Sequence, residues 1–541
     1  MARILKRIGI MIISLMIISM ILLVGCTMKS EEVKEHPVET PAQEEIEEVE
    51  SIPLEGDLIK VAMRSPTTLH PIYNTEKSVE QGLHLMFDTL VNIEVDGSIT
   101  PQLAKTWYID TASNSIHITL EEDVLWHDGK SLTANDVKFT IETIQQATDS
   151  PYKKAVENIA KVQVLTNNAL QIWYRQPFSG MLQTLFFPVI PEHIYNVPKE
   201  EALDIKPVGS GPYKFQTEVP LKQITLESNE SYFKGIPGIG QVQILITPDE
   251  ESTLHAFEQG LIDVIYTDVM DWGKYTKDKS ARIYELPTNN YEFMALNFNR
   301  PQFQNKNIRE ALAYGLERQE IIDIYYLGQG IVTDTPISPK SYLFDKTLDI
   351  REYDKEKAKL LLAQEGYQLD EKTKLFTKNN ISLSFNLLVN KENKERVKVA
   401  QGIQKMYKSI GVEVIIEEVD KETYLSRIYS RQYDAFLGGW KLSYIPDLSF
   451  AFHSSQITSG DNFIGYQDSQ MDTLLKEAFM ADIEYITEAY SSLQHYFAEQ
   501  NPYISLYFRN GAVITKKKIK GNIDPDPCNI YSNIQEWSLE D

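Results

Sequence analysis

Apolar and polar positions alternate along some short runs of this chain and repeat at helical spacing along others, and the two kinds of run interleave throughout. In Ser115-Ile116-His117-Ile118-Thr119-Leu120 every second position is apolar, the period of a half-buried strand. Leu58-Ile59-Lys60-Val61-Ala62-Met63 predicts a buried strand ending at Ser65-Pro66, and residues 222–228 and 241–248 predict two more. Helical spacing runs over 78–90. Thr133 followed by Asp136 predicts a capped helix start, because side chains at these positions satisfy the free amides of a first turn. Farther on, 307–322, 354–365, 393–410, 472–478 and 483–499 predict helices, and 381–389, 412–419, 503–508 and 513–517 predict strands. A β-rich part, a βαβ part and a return to short strands predict a mixed α/β chain that crosses between lobes more than once.

The first residues follow a different pattern. Arg3, Lys6 and Arg7 precede an apolar run over 8–24 whose only polar side chains are Ser14 and Ser19, as in a signal peptide. That run approaches the ~20 residues of a membrane-spanning helix, so an uncleaved anchor is the alternative. Its ending, Leu23-Val24-Gly25-Cys26, resembles the bacterial lipobox, which implies cleavage after Gly25 and lipid on Cys26. Several acyl chains would then attach the protein durably to a membrane. Lipid on Cys26 leaves Cys528, the other of the two cysteines, without a disulfide partner, and Cys528 reads as a small buried hydrophobe.

Residues 31–50 hold nine Glu against one Lys, a net −8 out of the chain's −24, with Pro37 and Pro41 and few large apolar groups. Such a segment cannot bury a core and repels itself into an extended tether. About 490 residues follow, enough for two to four domains. The acidic balance argues against a nucleic-acid surface, and Lys516-Lys517-Lys518 reads as a solvated turn.

Four motifs carry a family resemblance. They are Trp126-His127-Asp128-Gly129-Lys130-Ser131-Leu132-Thr133-Ala134 with Asp136-Val137-Lys138-Phe139; the turn Gly209-Ser210-Gly211-Pro212-Tyr213; Asn297 with Ile308-Arg309-Glu310-Ala311-Leu312-Ala313-Tyr314-Gly315 and Arg318; and Tyr353-Asp354-Lys355-Glu356-Lys357-Ala358 with Gly366-Tyr367. In this order they resemble the bacterial extracellular solute-binding proteins of family 5, the oligopeptide, dipeptide and nickel receptors of ABC importers. The resemblance implies an α/β, two-lobed fold of the periplasmic-binding-protein type (class II, cluster C) with an extra domain and a hinge between the lobes. Domain I would comprise 52–95, 207–290 and 505–541, domain II 96–206 and domain III 291–504, after a signal peptide over 1–25 and a lipidated tether over 26–51.

The same resemblance singles out candidate ligand-binding residues. Tyr433-Asp434-Ala435-Phe436-Leu437-Gly438-Gly439-Trp440 and the loop after it resemble the stretch that lines the cleft in relatives, which marks Trp440, Ser443, Tyr444 and Asp447. An aromatic supplies apolar area, and a carboxylate could pair with an ammonium. Trp440 reads equally as a core tryptophan, and Asp447, following Pro446, reads also as a turn or cap residue. Relatives commonly carry an acid three positions after this tryptophan to hold a peptide's amino group, and this chain has Ser443 there, so amine capture is not implied. Ser65 and Pro66 match a stretch whose backbone pairs with an extended peptide.

The nine histidines form no H-E-x-x-H, and the chain has no G-x-S-x-G elbow, P-loop or paired-cysteine site, so no enzyme, metal or cofactor is expected. The implied function is that of a monomeric, lipid-anchored receptor on the outer face of the cytoplasmic membrane of a Gram-positive-type cell, which passes peptides to an ABC permease. A nickel chelate, haem or a glycan is the alternative solute, and a surface peptide sensor or chaperone without a permease is the alternative role.

Overall fold

The computed structural model describes residues 57–268, 272–443 and 447–540. The leader, Cys26, the acidic tether and Tyr444 lie outside the described residues.

Two four-stranded sheets form the N-terminal lobe. In the first, Leu58–Arg64 is the outer strand and pairs in parallel with Gln241–Thr247, followed by Gln223–Ser228 and Tyr213–Val219. The second is antiparallel, with Ala104–Asp110, Ser115–Leu120, Ala169–Tyr174 and Ile159–Thr166 side by side. Ile116, Ile118 and Leu120 face one continuous core that also takes Val137, Ile141 and Ile144 from the helix Ala134–Gln146. That helix begins as predicted: Thr133 N–H donates to Asp136 Oδ2 at 2.8 Å, and the two residues close a capping box.

The helix expected over 78–90 is shorter, Lys77–Leu83. Beyond it the carbonyls of Leu85 and Met86 accept instead from Tyr213 N–H and Gly211 N–H, both at 2.9 Å. The Gly-Ser-Gly-Pro-Tyr turn therefore sits directly on this segment, and a Cβ on Gly209 would lie 1.9 Å from Met86 O. Backbone contact this close requires glycine.

A seven-stranded sheet organises the C-terminal lobe. Its order is Val264–Thr267, Tyr503–Lys516, Ala281–Leu296, Ala435–Lys441, Ser384–Asn390 and Glu413–Val419, with Gly330–Val332 also on Tyr503–Lys516. Alternation assigns its two faces to two cores: Tyr291, Phe293 and Ala295 enter one, Met294 and Leu296 the other. The stretch predicted as one helix over 307–322 is two, Lys306–Tyr314 and Arg318–Tyr325. The chain turns at Gly315, where a Cβ would come within 2.5 Å of Ile410 Cδ1.

Two long strands join the lobes. Tyr503–Lys516 is continuous where two short strands were expected, and its partner Ala281–Leu296 was not expected at all. Their first-lobe ends bury Leu286 and Val513 in the N-terminal core, whereas their other ends bury Met294, Ile504 and Leu506 in the C-terminal cores. Between these ends the ladder jumps from Pro287↔Asn510 to Tyr291↔Phe508. Three residues, Thr288 to Asn290, oppose one, Arg509, which is a bulge that bends the pair.

Candidate functional site

A cavity of about 320 Å³ lies where the bulge, the end of the first strand and the loop after Ala435–Lys441 converge. Ala62, Met63 and Arg64 form one wall; Thr288, Asn289 and Asn290 another; Lys441 and Leu442 face them from the second lobe. Leu442 N–H donates to Asn289 O at 2.9 Å, which locks the loop to the bulge. On the far side of that contact is a smaller cavity of about 70 Å³, lined by Asp96, Ser338, Tyr342, Ser443 and Asp447 together with the same Asn289 and Leu442. The two spaces share Asn289 and Leu442, the residues at which the lobes touch.

Charges of both signs line the larger cavity: Arg64, Lys77 and Lys441 against Glu76, Glu250 and Asp268. Arg64 and Glu76 approach to 3.9 Å, and Asn290 Nδ2 donates to Asp268 Oδ2 at 3.2 Å. Burial, reinforced by the Asp268 carboxylate, raises the Glu250 carboxyl above its ordinary value. The pocket therefore favours a cationic group beside these two acids. Gln81 carries the far wall, donating to Cys528 O and accepting from Ile530 N–H, each at 2.8 Å. Cys528 is buried, in keeping with its reading from the sequence.

Behind the groove, Glu292 takes two hydrogen bonds from Arg396, at 2.8 and 3.1 Å, and lies 3.4 Å from Arg509. A Cβ on Gly439 would meet Arg396 Nη2 at 2.3 Å, so this glycine makes room for an ion pair rather than for ligand. Trp440 stacks on Phe293 and Phe463, with ring centroids at 6.1 and 5.8 Å, and meets Phe450 edge-on. It anchors the root of the loop, and among the described residues the walls of the two cavities begin one position later, at Lys441.

Of the other residues singled out from the sequence, Ser443 and Asp447 come together on the smaller cavity. Asp447 Oδ1 also accepts from Ser449 N–H at 2.8 Å, which opens a short helix, Ser449–Phe452. Ser65 is exposed and Pro66 half-buried, immediately after Arg64 on the larger cavity's wall. Sequence reading did not mark Arg64, Glu250, Asp268, Asn289 or Asn290. Arg64 ends the first strand, Asp268 follows the strand Val264–Thr267 and Glu250 opens the helix Glu250–Glu258; that they meet Asn289 and Asn290 of the bulge at one cavity is set by tertiary packing.

Comparison with known proteins matches the profile described as "Bacterial extracellular solute-binding proteins, family 5 Middle" to residues 98–461. The oligopeptide-binding protein AppA of Bacillus subtilis is 28% identical over 504 residues, 90% of this chain and 92% of that one. Its structure in complex with a nonapeptide superposes with a TM-score of 0.63 at 27% identity, covering 90% of this chain and 99% of that one. NikZ of Campylobacter jejuni, solved with Ni(L-His), gives a TM-score of 0.67 at 26% identity over 90% of this chain and all of the other. Haem-binding protein A of Haemophilus influenzae is 26% identical over 456 residues, 79% of this chain and 82% of its own.

Proposed function

Because this chain belongs to family 5 of the bacterial extracellular solute-binding proteins, we propose that it binds peptides in the groove between its lobes and delivers them to an ABC permease. The observation that carries the peptide reading is the convergence of an outer strand's end, at Ala62 to Arg64, with a wall of balanced charge. An extended peptide can add its backbone beside such a strand and continue past Ser65 and Pro66. Its zwitterionic main chain suits three cations set against three carboxylates, and the Glu250–Asp268 pair is the place for its amino group. That role replaces the acid that relatives carry at the position of Ser443. Ser443, Tyr444 and Asp447 would line the continuing groove, and Trp440 would hold their loop in place. Import requires only that the closed form bind solute more tightly than the open one, and no bond is made or broken.

The division into domains I, II and III at 95/96, 206/207, 290/291 and 504/505 is part of this reading. The antiparallel sheet within 104–174 supports a separate domain II, and the bulge at 288–290 supports a hinge near 290/291. We place the receptor on the outer face of the membrane as a monomer, held by lipid on Cys26. Among the described residues no helix is long and apolar enough to cross a membrane.

A second reading has support from NikZ and haem-binding protein A: a metal chelate or haem in the same groove. Against it, no group of three or more His, Cys, Asp or Glu among the described residues is placed to hold a metal ion. Native mass spectrometry of the chain, purified without denaturation from a peptide-rich medium, separates the two. Peptides that leave only on denaturation are the expected result. An empty protein whose melting temperature ignores peptide mixtures but responds to nickel–histidine or haem would overturn the peptide reading.

A further inference from the structure

Tyr342 closes the smaller cavity on one side and opens onto a third space on the other, of about 350 Å³. Trp107, Ile109, Phe178 and Leu182 of the first lobe and Ile483 and Ile486 of the second give it a largely apolar lining. The lobes touch directly beside it: Phe178 stacks on Phe479 at 5.4 Å, and Ser179 N–H donates to Phe479 O at 2.7 Å. Gln183 stands at the partition and is 6% exposed. Its Nε2 donates to Tyr342 Oη at 3.4 Å, but its buried Oε1 accepts no hydrogen bond among the described residues. A buried carbonyl oxygen left in this state is costly unless a donor reaches it.

We propose that this cavity is a remote subsite that takes one apolar side chain of a long, extended peptide, with Gln183 Oε1 accepting a main-chain N–H beside it. The subsite rests on the peptide reading and adds a length threshold to it. Extended chain advances about 3.3 Å per residue, so each added residue carries a peptide seated beside Arg64 farther towards Tyr342, and the length at which it arrives is the threshold. Asp110 and Asp482 at the rim repel an anionic residue, so the occupant is an interior apolar residue and not a C-terminal carboxylate.

Calorimetric titration of the purified full chain tests this with nonapeptides of Ala and Ser that carry a single Phe at each position in turn, and with tetra-alanine as the short control. One distal Phe position should bind at least tenfold more tightly than the Phe-free parent, and Glu in its place should lose that gain. Ile483→Glu, at a residue 60% exposed and therefore tolerant, should abolish the Phe gain and leave tetra-alanine within twofold. Gln183→Met should weaken the nonapeptides about five- to tenfold and spare tetra-alanine. A flat Phe scan, a Phe gain that survives Ile483→Glu, or equal weakening of short and long peptides would overturn the subsite while leaving the main groove standing. Failure of every peptide to bind would remove the peptide reading and the subsite together.

Discussion

The two lobes handle buried ionisable groups in opposite ways. In the N-terminal lobe burial drives them towards neutrality: His70 and His84 are each lowered to about 4, and Asp526 is raised to about 7. In the C-terminal lobe the buried acids Asp334 and Glu292 are instead held against arginines. Asp334 holds Arg318 at 2.7 Å and Arg351 at 3.1 Å, and Glu292 holds Arg396 at 2.8 Å. The first lobe's stability is therefore coupled to protons and the second's to geometry. The joining strand that carries Glu292 behind the groove pairs with Ala435–Lys441, so the ion-paired lobe presents the loop of Ser443 and Asp447.

The largest expected effect is Asp334→Ala, which takes the carboxylate from the buried Arg318 and the half-buried Arg351 and should cost about 3–5 kcal/mol in urea unfolding. Hydrogen exchange should show the loss in Ser384–Asn390 before it appears in Leu58–Arg64. Equal loss in both would show that the lobes are a single cooperative unit.

The proton-coupled lobe is addressed by Asp526→Asn. Its folded-state pKa lies above the unfolded one, so the stability it contributes is full below about pH 4 and is lost as pH rises through about 7. The variant should exceed the natural chain by about 2–4 kcal/mol at pH 8 and match it near pH 4. The histidines run the other way: their folded-state pKa values are depressed, so their contribution fades as pH falls from about 6.5 towards 4. With the counterweight of Asp526 removed, thermal denaturation of the variant should show a steeper acid decline. An unchanged slope would refute the assignment.

Smaller effects test packing. Gly209→Ala drives a Cβ into Met86 O and should cost about 1–3 kcal/mol, read as a lowered melting temperature of the N-terminal lobe. Thr133→Ala removes one half of a capping box and should cost about 1 kcal/mol by the same measurement. A reversed order of these two would mean that the Gly-Ser-Gly-Pro-Tyr turn yields more readily than its contacts indicate.

Local rules made much of the fold legible. The Leu58–Arg64 strand, the Thr133 cap and Asp354, whose carboxylate accepts from Glu356 N–H and Lys357 N–H at 3.0 and 2.9 Å, follow from neighbours in sequence. The Lys77–Leu83 helix was overextended because nothing within 78–90 reveals that the Leu85 and Met86 carbonyls are claimed by a turn more than a hundred residues on. Ala281–Leu296 escapes the pattern because Pro287 and the polar run Thr288 to Asn290 break its alternation, and that polar run is the bulge that lines the larger cavity. Arg509-Asn510-Gly511 looks like a turn for the same reason, although Arg509 lies 3.4 Å from Glu292 and the strand runs on.

The sequence by itself determined the mixed α/β character, the capped helix at Thr133 and the glycine turn, because caps, turns and periodicity are set by backbone chemistry within a few residues, and the order of its motifs carried the resemblance to the family. Only the tertiary structure decided that Arg64, Glu250, Asp268 and Asn290 share one cavity, that Trp440 stacks among aromatics at the root of its loop, and that the buried Gln183 Oε1 has no hydrogen-bond partner among the described residues. Those facts depend on which strands pair and in what register. Pairing is selected by the burial of whole faces summed over distant segments, a quantity that no local window of residues contains.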